Sequence, residues 1–231
     1  MTARSVREGV LDSLPIAAGY FPIAFSFGVS AVQAGISPLI GVLISAVVFA
    51  GGSQFVLLGL LSSGAALPAV VATTLLMNAR HLLYGRRIAQ SLPVSHASPP
   101  KPLLAFGLTD EVFACAIGRL HDLAETERAH WLFGLQCGAY LAWVAGTILG
   151  ILTGAQIVDR FPILRDALGF VLPALFLSLL LNLDWRDSRV SVLIAAIVTL
   201  VLTFFVPVHL AILAGIVSGI CGAALPGRGN A

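Results

Sequence analysis

The chain reads as an all-α, polytopic membrane helical bundle with seven to eight helical elements, at least one of them broken or re-entrant. Three observations predict it. Hydrophobic residues make up 58% of the 231 and charged residues 10%, with a mean hydropathy of +0.97, whereas charge runs at about a quarter of residues in ordinary soluble domains. The apolar stretches are helix-length and lack the strict alternation of a membrane barrel. Several are short for a hydrocarbon core that asks for roughly 20 residues, and many are interrupted by glycine or proline, the pattern of transporters and not of simple anchors. Spans consume nearly the whole chain, so 1–231 is expected to be a single membrane domain without a soluble domain.

Formal net charge is +2, and the basic residues are scattered at segment ends instead of forming a stripe, which argues against nucleic acid. Cys115, Cys137 and Cys221 sit inside apolar segments with no C-x-x-C, as small buried hydrophobes and not bridges or metal ligands. No metal or cofactor is expected. Arg4 and Arg7 precede an apolar run ending in Val32-Gln33-Ala34, the outline of a signal peptide, but Pro15, Pro22 and the run's spanning length favour a retained first helix.

Apolar segments fall at about 14–34, 38–62, 67–85, 103–119, 131–153, 164–182, 190–206 and 208–225. Arg4 and Arg7 place the N-terminus in the cytoplasm, and Arg86, Arg87 and Lys101 do the same for the Pro-rich connector 91–102. Two cytoplasmic ends need an even number of crossings between them, yet three segments lie there. The parity works if one does not cross. Segment 38–62 is the candidate, because Gly51 and Gly52 weaken its middle and irregular backbone at membrane depth must be buried in protein or line a cavity. The alternative is a plain helix whose glycines allow close packing.

Residues 73–87 put Asn78, Arg80 and His81 into an otherwise oily chain. On one continuous helix Thr73, Thr74, Met77, Asn78, Arg80, His81 and Tyr84 share a half, opposite Leu75, Leu76, Leu82 and Leu83. Arg80 either lines a cavity with a partner or snorkels to the membrane edge beside Arg86 and Arg87. In 131–153, Gln136, Tyr140, Trp143 and Thr147 form a polar and aromatic stripe, next to a Gly146, Gly150, Gly154 ridge that admits another backbone. Pro15, Gly19, Pro22, Ser26, Ser30 and Gln33 share a face of the first helix. Gly215, Ser218, Gly219 and Gly222 make a small-residue surface suited to a neighbour, a partner or a second copy.

Asp110 and Glu111 lie amid Leu103, Leu104, Phe106, Val112, Phe113 and Ile117, and adjacent acids project about 100° apart. One is placed to hold Arg80 and the other to titrate, as a proton-coupled transporter requires; a fixed ion pair between helices is the alternative. His209 is a further proton-relay candidate. An enzyme is not expected. Ser53 with His81 or His209 outlines an intramembrane serine hydrolase, but Gln54 follows the serine, no oxyanion motif stands out, and there is no H-E-x-x-H.

The insertions F-x-G-G-S-Q-F at 49–55, M-N-A-R-H-L-L-Y-G at 77–85 and L-T-D-E-V-F at 108–113, in that order and spacing, together resemble the AzlC family, the large subunit of branched-chain amino acid exporters. The Tyr140-Leu141-Ala142-Trp143 stripe and the segment 168–182 are similar too. The resemblance implies a bacterial inner-membrane protein that works with a small AzlD-like subunit and expels leucine, isoleucine, valine or sometimes methionine. It carries over Gly51, Gly52, Ser53 and Gln54; Asn78, Arg80, His81 and Tyr84; and Thr109, Asp110 and Glu111. Ala79 stands where leucine is common.

The expectation is therefore a secondary exporter with no P-loop for ATP. Arg80, or the amide groups at Gly51-Gly52-Ser53, would hold the substrate carboxylate, and Asp110 or Glu111 the ammonium or a proton. Met77, Trp143 and apolar neighbours would receive the side chain, beside Gln54, Asn78, His81, Tyr84 and Tyr140. The rival readings are a non-transporting structural subunit of a membrane complex and the serine hydrolase.

Overall fold

The computed structural model describes residues 2–92, 98–161 and 185–224, with the single positions 163, 167, 170, 174 and 177. The segment expected at 164–182 otherwise lies outside the described residues. Every regular element among them is helical: α1 (Thr2–Asp12), α2 (Leu14–Gln33), α3 (Pro38–Val48), α4 (Gly51–Ser62), α5 (Leu67–Asn78), α6 (Arg80–Ala89), α7 (Lys101–Phe106), α8 (Asp110–Arg119), a 3-10 turn at Leu120–Asp122, α9 (Glu125–Arg160), α10 (Trp185–Leu202) and α11 (Val208–Ala224). Two of them, α2 and Glu125–Gly154 of α9, are long and apolar enough to cross a membrane.

Where segments are split, local chemistry accounts for it. Segment 38–62 breaks as expected: Phe49 takes the left-handed conformation (φ 40°, ψ 46°) and ends α3 before the Gly51-Gly52 pair opens α4. Segment 103–119 also breaks, at 107–109, where Gly107 ends α7 and the Thr109 hydroxyl caps α8 by accepting the Val112 amide at 3.4 Å. The single helix expected over 67–85 is corrected by the structure. It is divided at Ala79, which itself keeps helical backbone angles (φ −57°, ψ −27°). Helix α1, by contrast, is amphipathic and short, and hydropathy did not single it out: Ser5 and Gly9 are buried while Arg4 and Arg7 are exposed.

The chain forms two compact units. The first comprises Met1–Phe55 and Asn78–Leu172. Its frame is α9, 36 residues or roughly 54 Å long, with α1 and α2 laid along it. Glycines on both partners let the backbones touch: a Cβ at Gly9 or Gly134 would collide with the backbone of Trp131 or Val6, and one at Gly28 or Gly150 with that of Thr147 or Phe25. The expected Gly146, Gly150, Gly154 ridge thus receives Phe21, Ala24, Phe25 and Val29 of α2. Contacts advance together along both stretches of helix, from Val6 at Gly134 through Ser13 at Gly138 to Val29 at Gly154, so α1–α2 and α9 run parallel. Helix α3 runs the other way, with Gly41 at Ile151 and Ser45 at Thr147. Trp131, Leu132, Leu135 and Ala139 of α9 build the core with Leu104, Leu108, Val112, Ala116 and Leu120.

The second unit comprises Val56–Met77 and Pro173–Ala231. There α10 and α11 pack as an antiparallel pair, with Gly215 against Thr199 and Ala195, Gly219 against Ala195 and Gly222 against Ile194. The small-residue surface of α11 is thus filled from within the chain by α10.

Candidate functional site

Parts of all three broken segments lie in the first unit, and the α9 stripe reaches two of the breaks, those after α3 and α7. A helix that stops leaves its last four carbonyls without intrahelical donors, and in an apolar interior these need other partners. At the end of α3, Gln54 Nε2 donates to Ile44 O (3.3 Å) and Ser45 O (3.2 Å), and Tyr140 Oη donates to Ala46 O (3.0 Å). Trp143 Nε1 donates to Gln54 Oε1 at 3.3 Å, and the Ser45 and Thr147 hydroxyls bond at 2.7 Å. At the end of α7, Gln136 Nε2 donates to Leu104 O at 2.7 Å. Gln136 and Tyr140 bond carbonyls at the breaks directly, Trp143 holds the Gln54 that does so, and Thr147 bonds the Ser45 hydroxyl within α3. The polar atoms of Gln54, Tyr140 and Trp143, expected to meet substrate, are engaged in holding the backbone. Gly51 leaves room for the Trp143 ring, whose Cη2 would lie 2.9 Å from a Cβ there. Ser53 is buried and its hydroxyl donates to Ala50 O at 3.0 Å.

Phe49 sits at the centre of an aromatic cluster. Its ring centroid lies 4.9 Å from Tyr140 and 6.5 Å from both Tyr20 and Trp143, edge-on, and 6.1 Å from Phe106, stacked. Ring contacts in these geometries add about 0.5–1.5 kcal/mol each beyond burial, which outweighs the left-handed backbone at Phe49.

The charged cluster stands on α6 and α8. Arg80 Nη2 meets Asp110 Oδ2 at 2.7 Å, and Tyr84 Oη donates to Asp110 Oδ1 at 2.7 Å. Tyr84 stacks on Phe113, with centroids 4.3 Å apart, and His81 lies 5.7 Å from the Tyr84 ring. Asp110 and Glu111 open the first turn of α8, where the helix dipole favours negative charge. The hydroxyl of Tyr20 on α2 contacts Thr109 Oγ1 at 2.6 Å and donates to Glu111 Oε2. Two neighbouring acids are thus each held by a tyrosine from a different helix. Two buried atoms beside this cluster have no hydrogen-bond partner among the described residues, Arg80 Nε and Asn78 Oδ1, one on each side of the Ala79 interruption.

Of the other expected site residues, Met77 belongs to the second unit and Gly52 is buried in the first turn of α4. The side chain of His209 lies outside the described residues. Tyr20 was missed by sequence reasoning. The signal was its scarcity: the chain has three tyrosines, and the hydroxyls of Tyr20, Tyr84 and Tyr140 all serve the site or a break.

An apolar bundle whose helices break in pairs around an arginine and two acids defines an integral membrane protein of the transport class. The AzlC protein family model matches residues 15–157, and the chain belongs to that family. It is 42% identical over 218 residues to the inner membrane protein YgaZ of Escherichia coli, covering 92% of this chain and 86% of that protein. An uncharacterized membrane protein of Archaeoglobus fulgidus is 43% identical over 80% of each chain. A branched-chain amino acid transport protein, AzlC of Bacillus subtilis, is 27% identical over 79% of this chain and 69% of its own. No solved structure matches.

Proposed function

We propose that the protein is a secondary exporter of branched-chain and methionine-like amino acids across the bacterial inner membrane. It works with a small AzlD-like subunit and draws on protons or the membrane potential. The observation that carries the reading is the pair of unpartnered buried atoms flanking Ala79. Arg80 Nε is a donor and Asn78 Oδ1 an acceptor, and a zwitterionic amino acid requires one of each, for its carboxylate and its ammonium. A guanidinium suits carboxylate recognition because its donors form a planar fork. Membership in the AzlC family and the name of the Bacillus relative support the substrate class. The absence of a P-loop in the sequence supports secondary transport. Arg86 and Arg87, further along α6, support placing Arg80 near the cytoplasmic mouth, where an exporter takes up substrate.

The test is leucine efflux from cells loaded with leucine-containing dipeptides, with and without the small subunit. Arg80→Ala should abolish efflux while the protein is still found in the membrane at the native level. Normal efflux from that variant would remove Arg80 from the substrate site, and unchanged efflux on deleting the whole chain would defeat the exporter reading.

A further inference from the structure

The two neighbouring acids differ in what balances their charge. Asp110 touches the Arg80 guanidinium and accepts the Tyr84 hydroxyl, so its charge has an opposite charge at contact distance. Protonating it would leave a guanidinium without its counter-charge. Among the described residues no ion pair reaches Glu111, whose partner is the Tyr20 hydroxyl. Glu111 is exposed, and the titratable and charged groups near it are Tyr20 of α2, Tyr84 of α6 and Asp110 beside it, which itself pairs with Arg80. From α9, Leu132, Leu135 and Ala139 join Val112 and Ala116 of α8 in the apolar core.

Tyr20 suits both forms of the acid, because a hydroxyl donates one bond and accepts others. With Glu111 ionised, Tyr20 donates to the carboxylate. With Glu111 protonated, the carboxyl donates to Tyr20 Oη, and the phenol proton turns to Thr109 Oγ1, which lies 2.6 Å away. Neither state leaves a hydroxyl of this trio without a partner, and the Arg80–Asp110 pair is balanced in both.

We infer that Glu111 is the group that takes up and releases the coupling proton. Tyr20 is its positioning residue, and Asp110 is the fixed counter-charge of Arg80. The inference rests on the transport reading above. The step is simple protonation: the carboxylate gains a proton from water on one side of the membrane and loses it to water on the other.

The experiment uses inverted membrane vesicles carrying the full chain with its small subunit. Two quantities are read: exchange of labelled for unlabelled leucine without any gradient, and accumulation of labelled leucine driven by an acid lumen. One pH unit supports at most about tenfold accumulation at one proton per substrate. The native protein should show both. Glu111→Gln, which preserves the bond to Tyr20, should keep exchange but lose accumulation, whereas Asp110→Asn should lose both. Tyr20→Phe should shift the pH at which accumulation is half-maximal. Native accumulation by Glu111→Gln, or loss of its exchange along with accumulation, overturns the assignment of Glu111. Absence of exchange in native vesicles overturns the transport reading itself, and the proton assignment with it.

Discussion

At the scale of the residue, the most informative backbone is that of Phe49, in the left-handed region at φ 40°. That conformation costs a side-chain-bearing residue about 1–2 kcal/mol and glycine almost nothing. Its ring meanwhile holds the cluster of Tyr20, Phe106, Tyr140 and Trp143. Both Phe49→Ala and Phe49→Gly lose the ring, but only the second relieves the backbone. Phe49→Gly should therefore be the more stable of the two by about 1 kcal/mol, the reverse of the order inside a helix. Thermal unfolding of the two variants in detergent measures this, and an alanine variant that melts higher would show that the left-handed turn is not used. Sequence patterning exposed the motif around Phe49 but not its conformation, because a positive φ at a bulky residue is imposed by its neighbours and has no composition of its own.

At the scale of the element, the helix breaks were legible only where glycine marked them. Gly51-Gly52 announced the interruption of 38–62, while Ala79 is a good helix former and gave no sign of the one between α5 and α6. The partners of the broken ends were partly legible. Gln136, Tyr140, Trp143 and Thr147 stood out as a stripe, but periodicity cannot tell a stripe that meets ligand from one that satisfies carbonyls. Gln54 is the clearest case: it is fully buried and bonded to Ile44 O, Ser45 O and Trp143 Nε1. Gln54→Leu preserves volume and strands these groups in the core, at a cost on the order of 3 kcal/mol. Trp143→Phe removes one of the bonds, and the double variant should lose measurably less stability than the sum of the two single changes. Strict additivity in detergent unfolding would mean that the bond does not contribute.

At the scale of the whole molecule, the sequence conveyed the class and little of the path. Hydropathy alone identified a helical membrane protein, since no soluble core needs so much apolar surface. It did not reveal that α2 and α9 run in the same direction, which the advance of contacts from Phe21 and Ala24 at Gly146 to Val29 at Gly154 displays. Parallel helices that both cross a bilayer begin on the same side of it. In a protein whose native cysteines are replaced, Ala3→Cys and Ala124→Cys should react with a membrane-impermeant maleimide from one side, and Gln33→Cys from the other. Labelling of Ala124→Cys together with Gln33→Cys would contradict the parallel arrangement. The glycine seam between α2 and α9 also has a consequence in time. The ribosome must make about 120 further residues after Gly28 before Thr147 exists to meet it, an interval on the order of ten seconds at ordinary synthesis rates. Throughout it, the close-packing face of α2 stands in the membrane without its mate, so the nascent protein depends on whatever lipid or insertion machinery occupies that groove first.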